Sequence, residues 1–246
     1  MTMLKQGRYQ ARLAKTSHDI AAAQELRHRA FFQDEAQRGL DQDEFDEKCS
    51  HVLVSDLKTG RLVCCFRMME LADGRGITNS YAAQYYELSA LADFDGPIVE
   101  MGRFCVDPSE NSPDILRVAW GAMTEFVDSR GVQLLFGCSS FKGTEAEAYY
   151  DAFAMLKERH LAPKRWLPKV KAPDVFRFAQ RLRRKPDPKR AMRSMPPLLK
   201  TYLAMGGWVS DHAVIDPVMN TLHVFTGLEI GAIPPARRRF LQAATR

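Results

Sequence analysis

The chain has few cysteines and no arrangement of them that cross-links or binds metal. Cys49, Cys64, Cys65, Cys105 and Cys138 form no C-x-x-C pair and no His/Cys cluster at zinc spacing. They read as reduced, buried thiols of a cytosolic protein, with no metal centre and no cysteine nucleophile. Long apolar runs are also missing. No stretch of about 18 apolar residues occurs, which excludes a spanning helix, and residues 1–15 lack the apolar core of a signal peptide. There is no internal repeat, and no G-x-S-x-G elbow that would make a serine a nucleophile. The excess of 35 basic over 30 acidic residues leaves only +5, too little to mark a nucleic-acid binder, though compatible with an acidic partner or an anionic membrane surface.

What is present is an ordinary globular composition, 46% hydrophobic and 26% charged, in a 246-residue chain. That length fits one domain with an elaboration better than two full domains. Residues 9–13 alternate as a first strand. Ser17 is placed to cap a helix over 17–32, with Ile20, Ala23, Leu26, Ala30 and Phe31 as its apolar stripe and Arg27 beside it. Residues 34–48 read as a polar loop crowded with Asp41, Asp43, Glu44, Asp46 and Glu47. Strands are expected at 51–56 and 62–69, joined by Lys58-Thr59-Gly60, and Arg67 interrupts the second. After an irregular stretch at 77–94, residues 98–106 form a central strand bounded by Gly96-Pro97 and Asp107-Pro108. Ser112-Pro113-Asp114 starts a helix that Gly131 ends. Residues 132–138 read as a short buried strand, from which Ser139 and Ser140 lead into a helix over 145–160.

This order, antiparallel strands followed by a β-α-β-α unit, predicts an α/β fold around one mixed, twisted sheet flanked by helices. Between residues 164 and 195 proline recurs and basic residues gather, which marks an insertion or lid; the core then covers about 9–163 and 196–230, with strands at 208–216 and 221–226.

The central strand, Ile98-Val99-Glu100-Met101-Gly102-Arg103-Phe104-Cys105-Val106, holds two charges where apolar residues are expected. Regular alternation would send Glu100 and Arg103 to opposite faces, and a bulge at Gly102 would bring them to one side. A structural ion pair is the simplest reading of the strand alone. Read with Arg27, Asp43, Asp46 and Arg67, the pair belongs to a larger set. The segments LRHRAFF, DEFD, GRLVCCFRM and VEMGRFCV, in that order, resemble acyl-homoserine-lactone synthases and related acyl-carrier-protein-dependent N-acyltransferases of the GNAT superfamily. The second half, with FGCSS (136–140), Gly143-Thr144, HLAP (160–163), PPLLKTYL (196–203) and AVID (213–216), resembles the ornithine N-acyltransferases, and the likeness spans residues 9–225.

The resemblance implies a GNAT-like fold and transfer of a 3-hydroxyacyl chain from acyl carrier protein to the α-amino group of L-ornithine, giving lyso-ornithine lipid. No separate cofactor is implied, because the donor is the carrier's phosphopantetheine thioester. The segment 107–113 lacks the glycines of a coenzyme A pyrophosphate loop and carries Glu110, with Asp114 following, which suits a carrier protein better than coenzyme A. Such chemistry needs a proton acceptor for the substrate ammonium, and Glu100 is the candidate: burial raises a carboxyl pKa, and a nearby guanidinium lowers it. Arg27, Arg67 and Arg103 are candidate ligands for the ornithine carboxylate, Asp43 and Asp46 for its amines, and Ser139 and Ser140 for substrate at the end of the adjacent strand. Arg27 and Arg67 have a second reading, as anchors of the acidic loop. Arg181, Arg183, Arg184, Lys185, Lys189 and Arg190 would meet the acidic carrier protein, or an anionic membrane where the lipid-like product must go. Asp211 and His212, ahead of an apolar strand, remain undecided. The expected location is the cytoplasm, peripheral on the inner membrane. An acyl-homoserine-lactone synthase and a non-catalytic binding module of the same fold are the alternatives.

Overall fold

The computed structural model describes residues 4–32 and 39–235, so the start of the predicted acidic loop, residues 34–38, lies outside the described residues. The elements are β1 (Leu4–Gln6), β2 (Tyr9–Leu13), α1 (Ser17–Phe32), β3 (Ser50–Asp56), β4 (Leu62–Leu71), β5 (Tyr86–Glu87), β6 (Ile98–Val106), α2 (Pro113–Ser129) and β7 (Leu134–Lys142). Then come α3 (Tyr150–Arg159), β8 (Lys169–Val170), β9 (Val175–Phe176), α4 (Phe178–Arg181), α5 (Pro188–Ser194), α6 (Pro197–Ala204), β10 (Trp208–Val209), β11 (Ala213–Asp216) and β12 (Thr221–Glu229). This is the α/β order expected, with a mixed set of strands and flanking helices. The described residues pack as two compact units, one containing the chain to Glu70 together with Met101–Val132, the other Leu71–Glu100 with Gln133–Pro234.

In the first unit β1 to β4 form an antiparallel meander. β3 and β4 are buried almost without interruption, the pattern of strands covered on both faces. Leu53 and Cys65, opposite each other in register, pack with Ala23 and Leu26 of α1, and α2 lies along β1, β2 and β3. α1 is capped one residue earlier than expected. Thr16 Oγ1 accepts the Asp19 N–H at 3.1 Å and Asp19 Oδ2 accepts the Thr16 N–H at 3.3 Å, a reciprocal box with aspartate in the usual Glu position. α2 begins at Pro113 and stops before Gly131, whose φ of +61° is the left-handed turn glycine permits. All five cysteines are free thiols. Cys65 and Cys105 lie with sulfurs 3.6 Å apart, and their mutual hydrogen bond, with burial, pushes the Cys105 thiol well above its usual range.

In the second unit β7, β12, β11 and β9 pair antiparallel in that order, and β10 pairs with β12. Ile98, Val99 and Glu100 of β6 run parallel to Leu134, Leu135 and Phe136 of β7, as a β-α-β crossover requires. β7 is longer than its apolar run. β12 pairs along all nine of its residues, so Ser139 and Ser140 lie inside the strand and do not follow it. The expected strand at 208–216 is instead broken at Ser210 into β10 and β11, and the helix expected from residue 145 opens as a 3-10 turn over Ala146–Tyr149 before α3.

The basic, proline-containing stretch supplies β8, β9, α4 and α5. Phe176, Phe178, Leu182, Ala191 and Met195 from it join Phe141 and Phe153 in one hydrophobic cluster. Phe153 is stacked on Phe178 at 5.1 Å and tilted against Phe141 at 4.9 Å. Among the described residues no helix is long and apolar enough to cross a membrane. Replacing Phe153 with alanine leaves a void at the centre of these rings, and urea unfolding should show a loss of about 3–5 kcal/mol.

Candidate active site

An arginine carried into a protein interior must find carboxylates or carbonyls for its five N–H groups, since leaving them unpaired costs more than the fold can spare. Arg27 of α1 is 1% exposed and meets that demand on the acidic loop. Its Nη1 and Nη2 hold the two oxygens of Asp46 at 2.7 and 2.9 Å, its Nε donates to Asp41 Oδ2 at 2.8 Å, and Nη2 also donates to the Asp41 carbonyl. Gln24, one turn earlier on α1, adds an N–H to Asp46 at 2.9 Å. His51 of β3 donates its Nε2 proton to the Asp46 carbonyl at 2.9 Å.

Arg67 of β4 forks onto Asp43 at 2.6 and 2.8 Å and reaches Asp46 at 2.8 Å. Its guanidinium also lies 5.5 Å from the Phe45 ring centroid, a cation–π contact. Arg103 of β6 donates to Asp41 at 3.0 Å and to Asp43 at 3.2 Å. Three guanidinium groups thus face three carboxylates, and the charges balance within the first unit.

The members differ in depth. Arg27 and Arg67 are buried, whereas Arg103 is 13% and Asp43 22% exposed at the side chain. Burial opposes ionisation of Asp46, but hydrogen bonds from Arg27 and Gln24 and the charges of Arg27 and Arg67 outweigh it and hold its carboxyl well below the usual range. Asp43 is lowered in the same way, against burial, mainly by Arg67. Burial pushes the His51 imidazole down, so it is neutral at pH 7.

Arg103 is also where β6 departs from regular alternation. Its φ is +52°, while Gly102 is not left-handed; the irregularity expected at the glycine falls one residue later. A non-glycine residue in that region costs about 1–2 kcal/mol, and its bonds to Asp41 and Asp43 hold it there.

In the second unit Glu100 is 4% exposed. Its two oxygens accept the backbone N–H groups of Tyr81 and Ala82, each at 2.7 Å, where a 3-10 turn begins. The carboxylate is held at both oxygens by main-chain groups, which fix its direction. Ser139 is buried and accepts the Thr226 hydroxyl at 2.9 Å, which ties β7 to β12; Ser140 is exposed on the next position.

The structure therefore brings Arg27, Asp43, Asp46, Arg67 and Arg103 together in one cluster, and places Glu100, Ser139 and Ser140 in the other unit. Five contributors, His51 among them, were not singled out from the sequence. Asp41 was one acid among many, and Gln24 is three residues from Arg27 on the same helix face, a spacing that could have found it. The amides of Tyr81 and Ala82 have no side-chain signal at all.

Arg181, Arg183, Arg184, Lys185, Lys189 and Arg190 are all exposed, with Arg184 bonded to Asp151 at 2.7 Å and Arg190 3.9 Å from Asp187. At the start of α2, Pro113 has no N–H and the Ile115 N–H turns back to the Ser112 carbonyl. Asp107, held by Ser109 and by Arg29 and Arg61, closes the preceding turn. Among the described residues no group of three or more His, Cys, Asp or Glu side chains could hold a metal ion.

Asp46→Asn strips the bidentate partner from a buried arginine and should cost about 3–5 kcal/mol in equilibrium unfolding. Asp43 and Asp46 ionise more readily folded than unfolded, so their contribution is complete above the unfolded value of about 3.9 and is lost as pH falls through their lower folded values. Stability measured between pH 7 and 5 should be flat on this account and fall below about pH 4, with a shallower acid slope in Asp46→Asn.

An acetyltransferase (GNAT) domain model matches residues 26–121, a span that includes Arg27, Asp41, Asp43, Asp46, Arg67, Glu100 and Arg103. An L-ornithine N(alpha)-acyltransferase of Rhodobacter capsulatus is 29% identical over 245 residues, covering 94% of each chain. One of the same name from Brucella abortus is 31% identical over 245 residues, covering 92% of this chain and 86% of its own. Among solved structures, FeeM, an N-acyl amino acid synthase from uncultured soil microbes, aligns over 91% of this chain and 92% of its own at 11% identity, with a TM-score of 0.49. At this identity and coverage, with the GNAT domain in place, the chain is an N-acyltransferase and belongs to the L-ornithine N(alpha)-acyltransferase family.

Proposed function

We propose that the protein transfers a 3-hydroxyacyl group from the phosphopantetheine thioester of acyl carrier protein to the α-amino group of L-ornithine, forming lyso-ornithine lipid. The observation that carries this reading within the molecule is Glu100, a buried carboxylate held at both oxygens by backbone N–H groups in a chain of this family. The α-ammonium loses one proton, accepted by Glu100 directly or through water, and the free amine attacks the thioester carbonyl. A carbon–nitrogen bond forms, the carbon–sulfur bond breaks, the second amine proton is released, and the pantetheine thiol leaves. No further cofactor enters this balance.

Arg103 and Asp43, the least buried members of the charge cluster, suit the carboxylate and side-chain ammonium of the acceptor. Arg27, Arg67 and Asp46, being buried and mutually bonded, suit the second role read for them and hold the loop that carries Asp43. Of the two serines of β7, Ser140 is exposed and open to substrate, whereas Ser139 is buried and bonded to Thr226. For the donor, a carrier protein fits better than coenzyme A: the turn into α2 lacks glycines, has Pro113 in its first position, and carries Glu110 and Asp114. The exposed residues Arg181, Arg183, Arg184, Lys185, Lys189 and Arg190 offer an acidic carrier a complementary face. Peripheral attachment to the cytoplasmic side of the inner membrane would let the amphiphilic product leave.

The test mixes pure protein with 3-hydroxyacyl carrier protein and either ornithine or S-adenosylmethionine, following free thiol and product mass. Thiol release with ornithine alone is expected; release with S-adenosylmethionine alone would replace this reading with lactone synthesis, and no release with either would favour a binding module. Glu100→Gln should lower kcat by roughly 10²–10⁴-fold, and should also lower the melting temperature, because the amide can accept only one of the two N–H groups that the carboxylate holds; full activity would remove Glu100 as the base. Reversing the charge of Arg183, Arg184 and Lys185 together should raise KM for the carrier-borne donor and flatten its salt dependence.

A further inference from the structure

The second unit holds a buried histidine that the proposed chemistry does not use. His223 of β12 is 3% exposed, and its Nε2 makes no hydrogen bond among the described residues. Its tautomer follows from its neighbour. The Tyr86 hydroxyl donates its single proton to the His223 carbonyl at 2.8 Å, so the 3.1 Å contact between that hydroxyl oxygen and His223 Nδ1 needs the proton on Nδ1. Nε2 then carries a lone pair and accepts. A buried acceptor without a donor costs about 1–3 kcal/mol, a cost that a ligand donor would recover.

The surroundings of this nitrogen identify the donor. His223 pairs in register with exposed Ser140, and Phe225 with half-buried Cys138, so these four side chains share one face of the β7–β12 ladder. Tyr85 covers the face, its ring 5.0 Å from the His223 ring and 5.4 Å from that of Tyr81. The Tyr81 N–H holds Glu100. The strip therefore runs from the proposed base, past two tyrosines, to His223, whose neighbour across the ladder, Ser140, is exposed, and aromatic rings make up most of it. Burial, with some help from His212 and against Asp216, pushes the His223 imidazole down to about 4, so the ring is uncharged at pH 7. An uncharged acceptor on an apolar strip suits a neutral O–H better than an ammonium, which would require a carboxylate at the same place.

We propose that His223 Nε2 accepts a hydrogen bond from the hydroxyl of the acyl chain and thereby selects hydroxylated over plain acyl donors. This rests on the acyl-transfer reading above and adds to it the residue that reads the donor. His212, whose Nε2 also lacks a partner among the described residues, is fully buried and does not oppose an exposed residue, so it is not assigned this part.

The experiment compares kcat/KM for 3-hydroxyacyl and 3-deoxyacyl carrier protein with ornithine, and for ornithine against 2-aminopentanoate, which lacks the side-chain amine, in the native protein and in His223→Phe. Expected is a native preference for the hydroxylated donor that falls roughly ten- to hundredfold in the variant, with the acceptor preference unmoved. A variant that loses acceptor preference instead would assign Nε2 to the ammonium and overturn the proposal, as would one in which neither ratio moves. Absence of transfer to ornithine by the native protein would defeat the acyl-transfer reading. A measurement that needs neither turnover nor a variant then decides the niche: in protein labelled with 15N-histidine, 3-hydroxyacyl pantetheine should shift the His223 Nε2 resonance and 3-deoxyacyl pantetheine should not. The same shift with both, or with neither, overturns the proposal, and this readout stands if His223→Phe fails to fold.

Discussion

The bidentate pair between Arg27 and Asp46 is the interaction on which the first unit depends. A guanidinium at 1% exposure has no water to fall back on, so α1 can pack Ala23 and Leu26 against the strands only if the acidic loop delivers carboxylates to the neighbouring Arg27. Asp46 is shared by Arg27 and Arg67, and Asp41 by Arg27 and Arg103, so one loop secures side chains from α1, β4 and β6 at once. An acidic run that would be a solvated loop in isolation is thereby made part of the interior. Pairing of this kind adds less to net stability than to definition: three forks of fixed shape admit few arrangements of the loop.

β6 uses its two charges differently because its surroundings differ on either side of Gly102. Glu100 is fixed by main-chain donors at both oxygens and presents its carboxylate in a set direction. Arg103 is bonded to two aspartates and sits in a left-handed conformation that those contacts help to hold. Asp43 and Arg103, both partly exposed, lie at the rim of a buried network, and the deeper-lying Arg67 favours the ionised form of Asp43.

The second unit shows a different economy. β12 alternates, sending Leu222 and Val224 into one aromatic cluster and His223 and Phe225 to the other face. The histidine face is the one that carries Cys138 and Ser140 from β7. Polar groups placed there are held by strand register, so their spacing is rigid.

Much of this was legible in the residues. Apolar periodicity located α1, α2, β3, β4 and β6, because each is a local pattern with its own punctuation, and the misplaced charges Arg27, Arg67, Glu100 and Arg103 announced themselves by interrupting it. The length of β7 was not legible, since Ser139, Ser140 and Lys142 are strand residues only because β12 pairs with them. Nor was the helix cap at Thr16, which depends on a reciprocal bond with Asp19. The order of elements, the likeness to a family and the charges in need of partners could all be read from the residues. Which carboxylate each arginine takes, the hold of main-chain amides on Glu100, and the lack of a donor to His223 Nε2 among the described residues come from the fold. Periodicity is a property of neighbours along the chain, whereas pairing, burial and tautomer are set by groups tens of residues away.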